Sequence, residues 1–274
     1  MFTSKLKYEY PGRYYLILSY VGKRSTPKVQ SSPRVLSIDP GVRTFASIFN
    51  HKGEYNDYGT NDISRLIKIA LRTDKLWSEL ETGTKLNDAI SNQTFIDTNH
   101  FNQKDQTTYL HTAAMKKVVF RQNYRRNLRK KIAGNVSRVR NLRKDMHWKL
   151  SSQLSQDYDH ILIPSFQTSE MVLRAKRKIN NKTVRSMLNW GHYEFREKLK
   201  HKAFMNGTSV HVVTEAWSSK TCGNCGRIKH NLGGSDVYKC IHTDCKLTRP
   251  RDWNAARTIF LMNVESSVGQ ILNY

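Results

Sequence analysis

Acidic residues are scarce in this chain of 274 residues, which has 22 Asp and Glu against 46 Lys and Arg and a formal net charge of +24. Such an excess of positive charge favours a polyanionic partner, and nucleic acid is the usual one. A soluble basic protein without a specific ligand is the plainer interpretation of the same composition.

Long apolar runs, lipidation motifs and a secretory signal are also missing from the sequence. The first two absences argue against a role at a membrane. Cysteine is confined to four positions in one stretch, and without a secretory signal this pattern favours a reducing, intracellular setting.

The four cysteines form two pairs, Cys222 with Cys225 and Cys240 with Cys245. Thiolates at this spacing predict one structural zinc ion, since four protein ligands leave no position for water. Because the second pair is more widely spaced than the first, His230 or His242 could replace one ligand. A pair of disulfides and a degenerate knuckle without metal remain the alternatives.

Asp39 follows the apolar residues 35–38 and precedes the breaker pair Pro40-Gly41. This pattern predicts a buried strand, a turn and a returning strand over 44–49. A carboxylate at the end of a first strand, followed by a hairpin, is how a ribonuclease-H-like fold begins, and there it holds catalytic Mg²⁺. The alternative is an Asp that only starts the turn.

Two further carboxylates flank the cysteines. Glu215 follows a short apolar run that predicts a strand over 210–214, and Asp252 opens a helix predicted to end near Val264. Asp252 could simply cap that helix, a role that is compatible with metal binding by the same carboxylate.

Residues 112–158 predict one long basic helix, or a helical hairpin broken near Gly134. Thirteen Lys and Arg between Lys116 and Lys149 accompany a single acid, Asp145, so few salt bridges can form within the segment and a phosphate-binding surface is favoured. A solvated basic face and a nuclear-import signal are the alternatives. The candidate nucleic-acid contacts are Arg121, Arg125, Arg126, Arg129, Lys130 and Lys131.

Four other segments complete the outline. Residues 14–21 predict a strand with no obvious partner in the first ten residues, and residues 63–80 predict a helix. The polar residues 82–107 predict a loop insertion. Residues 161–166 predict a short buried strand in which Pro164 is unusual.

Five segments, in order, resemble the OrfB/TnpB family of transposon-encoded proteins, in a variant similar to the Fanzor proteins of eukaryotes and their viruses. Between them they span residues 34 to about 260. The segments are VLSIDPGVRTFASIF, ILIPSF, NWGHYEFREKLKHKA, TEAWSSKTCGNCG and RPRDWNAART. The resemblance implies an α/β fold: a ribonuclease-H-like (RuvC) mixed sheet with helical insertions and a zinc-ribbon-like insert.

The function implied is RNA-guided cleavage of DNA, with a guide RNA and a target DNA as partners. By position, Asp39 would be the first and Asp252 the last ligand of two catalytic Mg²⁺ ions, which stabilise the attacking and leaving oxygens of phosphodiester hydrolysis. Most TnpB proteins carry the middle glutamate where this chain has Pro164 and Ser165. Glu215 fits the position used in Fanzor-like proteins, Glu170 is its competitor, and an inactive site is the third option.

The resemblance also implies a division of the chain. Residues 1–30 would be the remnant of a wedge-type domain and residues 34–274 the nuclease domain, with a basic helical insertion at 112–158 and a zinc-binding insert at 216–249. Relatives place a wedge barrel and a recognition domain first, so a fragment, a split product with a separate N-terminal partner, or a minimal relative is expected. Contacts to the nucleic-acid backbone are also expected from Ser218, Ser219 and Lys220.

Two other functions stay open. One is a non-catalytic nucleic-acid-binding remnant, against which Asp39 and Asp252 argue because both stand in motif context. The other is a DNA transposase or its accessory protein, against which the lack of separate machinery for a hydroxyl nucleophile argues. A eukaryotic or viral source would place the protein in the nucleus or an infected cell, and a bacterial source in the cytoplasm.

Overall fold

The computed structural model describes residues 4–9, 12–19, 22, 25, 26, 32–94, 104–174 and 179–269. Of residues 83–94, 104–120 and 269, only the backbone is described. The chain divides into two compact units, a smaller one of residues 1–20 and 68–141 and a larger one of residues 21–67 and 142–274. Among the described helices, none combines the length and the apolar character needed to cross a membrane.

The smaller unit contains a two-stranded antiparallel ribbon of β1 (Ser4–Glu9) and β2 (Arg13–Leu18). The strand predicted at 14–21 therefore does have a partner within the first ten residues, and the expectation of none was wrong. Its apolar side chains lie on both faces of an exposed ribbon; Leu16, for example, is 65% exposed. Strand β1 was not predicted because its apolar residues alternate with charged ones, namely Lys5, Lys7 and Glu9.

Two long helices pass through this unit, α1 (Asp62–Thr94) and α2 (Lys104–Asp157). They pack together through Leu76, Leu80, Leu128 and Ile132. Helix α2 continues through Gly134, so the hairpin alternative is wrong; one glycine costs a helix only about 1 kcal/mol relative to alanine. Residues 82–94 and 104–107 are helical rather than loop, while residues 95–103 lie outside the described part of the chain.

The larger unit is built on a five-stranded mixed sheet. Its strands are β3 (Val35–Pro40), β4 (Ala46–Asn50), β5 (Tyr55–Tyr58), β6 (His160–Pro164) and β7 (Ser209–Val213). The spatial order is β5-β4-β3-β6-β7, with an antiparallel meander from β3 to β5 and with β6 and β7 parallel to β3. The strands predicted at 35–38, 44–49, 161–166 and 210–214 all belong to this sheet.

Helices cover both faces of the sheet. After β6 come the short α3 (Thr168–Met171), α4 (Asn181–Trp190) and α5 (His192–Asn206), with Gly191 in a left-handed conformation between the last two. The strands β8 (Val237–Lys239) and β9 (Thr248–Pro250) form a small ribbon that leads into α6 (Arg251–Val264) and a π-helical turn (Glu265–Gly269). Helix α6 lies against β3 and β4.

The alternation of side chains along β3 assigns each residue to one of these faces. Val35 and Ser37 point towards α6, where the Ser37 hydroxyl donates to the carbonyl of Ala256 at 2.7 Å. Ile38 and Pro40 point to the opposite face, where they share a small cavity with Phe195 of α5. Asp39 alternates in step with Val35 and Ser37, so it faces the side of the sheet that α6 covers.

An aromatic cluster holds α5 to the sheet on that second face. Phe45 is fully buried, with its ring centroid 4.9 Å from that of His192 and 5.1 Å from that of Trp190. His192 donates from Nε2 to the carbonyl of Gly41 at 3.0 Å. Burial lowers the pKa of His192 to about 4, against the opposing effect of that hydrogen bond.

A pH dependence of stability follows from His192. The folded chain keeps the imidazole neutral where the unfolded chain, with a pKa near 6.5, takes up a proton. The contribution of neutral His192 to the free energy of unfolding is complete above pH 6.5 and is lost as the pH falls from 6.5 towards 4. Between pH 7.5 and 5.5 we expect the unfolding free energy of the wild type to fall by about 1.4 kcal/mol more than that of His192→Gln.

Urea titrations at the two pH values measure this difference, and the exposed His51→Gln controls for the loss of an imidazole as such. Equal falls in the wild type and His192→Gln would show that His192 is not held neutral by the fold.

Candidate active site and cysteine cluster

The carboxyl ends of β3, β6 and β7 meet at one edge of the sheet because the three strands are parallel. Asp39 is the second-last residue of β3, and Glu215 follows the end of β7 by two residues. The strand between them, β6, ends at Pro164 and presents no carboxylate there. Two acids therefore flank β6 at the same edge of the sheet.

Helix α6 adds a third acid. Asp252 lies in its first turn, one residue inside the helix, and the N-cap position belongs to Pro250, with no side chain accepting a capping hydrogen bond. The capping interpretation of Asp252 is therefore wrong. A carboxylate in a first helical turn is still favoured by the partial positive charge of the helix N-terminus.

Asp39, Glu215 and Asp252 line one open cleft of about 710 Å³. Ser218 and Ser219, from the turn after Glu215, line the same cleft. Glu170, the competitor of Glu215, is not among its lining residues, although Met171 beside it is. The structure thus brings together three of the four candidate acids.

The environment of the cleft disfavours the ionised forms of the three carboxyl groups. Burial raises the pKa of Asp39 well above its ordinary value, and the charges of Asp252 and Glu215 raise it further. Burial also raises the pKa of Glu215 and of Asp252, the latter in opposition to the nearby Arg251. Carboxylates that repel one another in a partly dry cleft are the arrangement that a bound cation stabilises.

Asp57 is a further cleft residue that the sequence did not reveal. The antiparallel register sets Asp39 opposite Ser47 and Ser47 opposite Asp57, so the three residues form a row across β3, β4 and β5. The Ser47 hydroxyl donates to Asp57 at 2.6 Å, and the charge of Asp57 raises the pKa of Asp252. The polar strand β5 lacks an apolar pattern, and only the register of a third strand could have indicated Asp57.

The turn after Asp39 requires glycine. A Cβ atom on Gly41 would lie 2.5 Å from the carbonyl oxygen of Thr44, which is far closer than such atoms approach. The Gly41 amide instead donates to the carbonyl of Phe45 at 3.2 Å. This close hairpin fixes the backbone that directly follows Asp39 in the cleft.

The four cysteines form a compact cluster beside this site. Their Sγ atoms all lie within 4.8 Å of one another, and no other set of three or more potential metal ligands does so among the described residues. The Cys222–Cys245 and Cys225–Cys240 separations are 3.7 and 3.8 Å. A tetrahedron with metal–sulfur bonds of about 2.3 Å has edges of about 3.8 Å, so the cluster can hold zinc.

His230 and His242 are both described and lie outside that cluster. The separations also exceed a disulfide bond of about 2.05 Å, and all four cysteines are free. Four sulfur ligands are therefore the arrangement that the fold offers.

Asn254 joins the cysteine cluster to α6. This fully buried side chain accepts from the Gly223 amide at 2.9 Å and donates to the carbonyl of Thr221 at 2.7 Å. One turn later, Arg257 donates to the carbonyl of Gly223 at 2.8 Å. The loop that bears Cys222 is thus fixed to the helix that bears Asp252, a link that the sequence analysis missed.

The candidate nucleic-acid contacts fall into two groups. Ser218, Ser219 and Lys220 stand in the turn beside the cleft, in the larger unit. The other six belong to α2 in the smaller unit, where Arg121 and Arg125 are partly buried and the remaining four are exposed. Those four are Arg126, Arg129, Lys130 and Lys131.

The cysteine geometry predicts about one zinc ion per purified chain. Cys240→Ala should lose the metal because three sulfur ligands remain, whereas His230→Ala and His242→Ala should keep it. Elemental analysis by mass spectrometry measures the zinc content. Zinc lost from either histidine variant, or retained in Cys240→Ala, would contradict the four-sulfur arrangement.

Asn254→Ala should loosen the cluster from α6, since it leaves the buried Gly223 amide without its partner at a cost of about 1–3 kcal/mol. We expect faster transfer of zinc to a chromogenic chelator. Asn263→Ala is the matched control, because Asn263 is also buried on α6 but donates to Thr214 and Ile259 instead. Equal transfer rates in the two variants would show that the Asn254 link does not stabilise the cluster.

In a comparison with known protein families, the Cas12f1-like TNB domain matches residues 192–259. This range begins with α5 and includes Glu215, the four cysteines and Asp252. A curated TnpB-like protein of Acanthamoeba polyphaga mimivirus is 28% identical over 265 residues, which cover 96% of this chain and 44% of the relative.

Two bacterial proteins are similar over shorter stretches. The putative RNA-guided DNA endonuclease InsQ of Escherichia coli is 30% identical over 158 residues, covering 53% of this chain and 38% of its own. The CRISPR-associated endodeoxyribonuclease Cas12f1 of Sulfoacidibacillus thermotolerans is 30% identical over 87 residues, covering 31% and 20%. The chain spans less than half the length of these curated relatives.

Among solved structures, the cryo-EM structure of a CRISPR-Cas12f ternary complex is similar with a TM-score of 0.50 and 15% identity, over 94% of this chain and 44% of the other. At that identity the likeness concerns the fold. Taken with the matched domain and the curated relatives, it supports a relationship of this chain to TnpB-like and Cas12f-like proteins.

Proposed function

We propose that this chain is the nuclease part of an RNA-guided DNA endonuclease and hydrolyses DNA with Mg²⁺ held by Asp39, Glu215 and Asp252. The observation that carries the proposal is the convergence of these acids, which are far apart in sequence, on one cleft of a protein with net charge +24. Relatives named as RNA-guided DNA endonucleases support the same class of reaction.

The residues present suit magnesium. Carboxylate oxygens are the ligands that this hard cation prefers. Within the described residues only the cysteines have ligand atoms all within 4.8 Å of one another, so the three carboxylates do not all lie within that distance. Two cations about 3.5–4 Å apart would let the carboxylates bind metal without all three sharing one ion.

Each acid reaches the cleft from a different support. Asp39 lies on a buried central strand, Glu215 on the turn after β7, and Asp252 on the first turn of α6. Bound Mg²⁺ would supply charge stabilisation of the attacking and leaving oxygens of the scissile phosphate. The carboxylates must lose their protons to bind it, and because their pKa values are raised, affinity should fall as the pH drops.

Glu215 is assigned as the middle acid in preference to Glu170. Glu215 lines the cleft, and its charge is one of those that raise the pKa of Asp39. This placement, after the strand that precedes the cysteines, is the reason for assigning the chain to a Fanzor-like variant. The strand-end Asp39 and the hairpin that follows it support the ribonuclease-H-like (RuvC) interpretation of the mixed sheet.

The cysteine cluster is proposed to hold one structural zinc ion. Its position against α6, through Asn254, would let the bound metal stabilise the helix that presents Asp252. Four sulfur ligands leave the ion no open position, so the zinc would take no part in hydrolysis.

A guide RNA and a target DNA are the proposed partners. The exposed cations of α2 would contact the sugar–phosphate backbone, which is recognised by charge and shape rather than by sequence. The chain spans less than half the length of its curated relatives. We therefore propose guided cutting either by this chain alone or by this chain with a separate N-terminal partner.

The test is Mg²⁺-dependent cleavage of single-stranded and duplex DNA by the protein co-expressed with the flank of its gene, so that any guide is captured. Asp39→Ala and Glu215→Gln should each lower the cleavage rate by about 10²-fold or more, as expected for the loss of transition-state charge stabilisation. Glu170→Gln is the matched control and should cleave at the wild-type rate.

Full activity in Glu215→Gln, or loss of activity in Glu170→Gln, would overturn the assignment of the middle acid. No cleavage by the wild type, together with tight and salt-sensitive RNA binding, would instead identify a nucleic-acid-binding remnant.

A further inference from the structure

Trp217 has an unusual backbone for a large side chain. Its φ of 65° places it in the left-handed region, which costs a residue with a Cβ atom free energy and is retained where the surroundings enforce it. The enforcement is visible: the Trp217 carbonyl accepts from the amides of Lys220 and Thr221, both at 2.9 Å, and from the Thr221 hydroxyl at 3.0 Å. The turn is therefore fixed by hydrogen bonds rather than by packing of the ring.

The indole ring gains little burial from this conformation. Trp217 is 55% exposed, although tryptophan is among the side chains that gain most from leaving water. The Lys220 ammonium lies 5.1 Å from the ring centroid, within the range of a cation–π contact. The result is an exposed aromatic surface with a positive charge beside it.

The position of this surface is set by its neighbours in the chain. Trp217 follows Glu215 by two residues, a distance of at most about 7 Å along an extended chain. The Ser218 amide donates to the Glu215 carbonyl at 3.1 Å, and Ser218 itself lines the cleft. Trp217 therefore lies in the turn that joins Glu215 to Ser218, two residues that line the acidic cleft.

Other tryptophans of the larger unit do not offer such a surface. Trp190 is fully buried, and Trp253, which lines the cleft, is already stacked on Tyr55 with centroids 5.0 Å apart and planes 11° apart. Trp148 belongs to α2, and its ring faces α5, whose residues Lys198 and Lys202 lie over it.

We propose that Trp217 is a stacking platform for an unpaired base of the DNA strand that enters the cleft, next to the phosphate to be cut. The proposal rests on the proposed nuclease function and adds a binding residue to it. An unpaired base stacks on an aromatic ring whatever its identity, and a cation beside the ring attracts the adjoining phosphate. Together they would hold the strand extended at the carboxylates without selecting a sequence.

The first experiment measures the coupling between base and ring without requiring cleavage. The full chain carrying Asp39→Asn binds fluorescein-labelled oligothymidine or an abasic oligonucleotide of equal length, and the ratio of the two affinities is compared between Trp217 variants. Trp217→Ala should lower this ratio by about 5- to 150-fold, the range for one base–aromatic stack. Trp217→Phe should restore much of it.

Two controls separate the ring from its backbone. Trp217→Gly removes the ring and also relieves the left-handed strain, so it should match Trp217→Ala if the ring matters and not the turn. Trp148→Ala removes an indole away from the cleft and should leave the ratio unchanged. An equal ratio in wild type and Trp217→Ala, or an equal drop in Trp148→Ala, overturns the platform.

The second experiment locates the stacked base. A single abasic site is moved along a cleavable DNA strand, and the wild type should slow at one position beside the cut, whereas Trp217→Ala should be indifferent to it. Cleavage without such a position overturns the platform alone. Base–ring coupling without any cleavage supports the platform and instead overturns the nuclease function.

Discussion

Helix α6 packs directly onto strands β3 and β4, and the small side chains at that contact make the approach possible. Ala255 and Ala256 are buried there, and the Ser37 hydroxyl of β3 donates to the carbonyl of Ala256. The contact fixes the first turn of α6, with Asp252, on the face of the sheet towards which Asp39 points. Through Asn254 the same helix also supports the cysteine cluster. A bulkier residue at position 256 would push α6 away from the sheet, and this one change would both separate Asp252 from Asp39 and displace the cysteine cluster.

The acids gathered at this contact destabilise the fold on their own. Burial raises the pKa values of Asp39, Glu215 and Asp252, and the charges of the other two acids raise the pKa of Asp39 further, so the site gathers negative charge that it does not itself neutralise. Nearby guanidinium groups oppose this effect without reversing it: Arg251 lowers the pKa of Asp39 and of Asp252, and Arg43 lowers that of Asp252. Such a cluster is the kind of site at which the proposed cation would be stabilising, since oxygen ligands in a polar cleft suit a hard cation.

The sequence predicted the parts of this arrangement that are local. Apolar runs located β3, β4, β6 and β7, and the cysteine spacing predicted the four-sulfur cluster. It could not reveal Asp57, because a polar strand has no apolar period and its place in the row depends on the register of β4 against β5. The Asn254 link and the exposed ring of Trp217 depend on tertiary contacts and on a backbone angle, neither of which leaves a pattern in composition. The sequence left open whether α2 breaks at Gly134, and the helix continues because one weak helix former does not end a helix that is otherwise favourable.

Two nearby positions of the hairpin after Asp39, Gly41 and Arg43, differ in how well they tolerate substitution. Any side chain at this position would strike the carbonyl of Thr44, while two residues away the exposed Arg43 reaches out to pair with Asp236. A deep mutational map of activity would therefore mark Gly41 as strongly as Asp39, although Gly41 contributes no side chain to the chemistry. Position 43 offers the freer route by which variants of this hairpin could alter the charge around the cleft while leaving the acids in place.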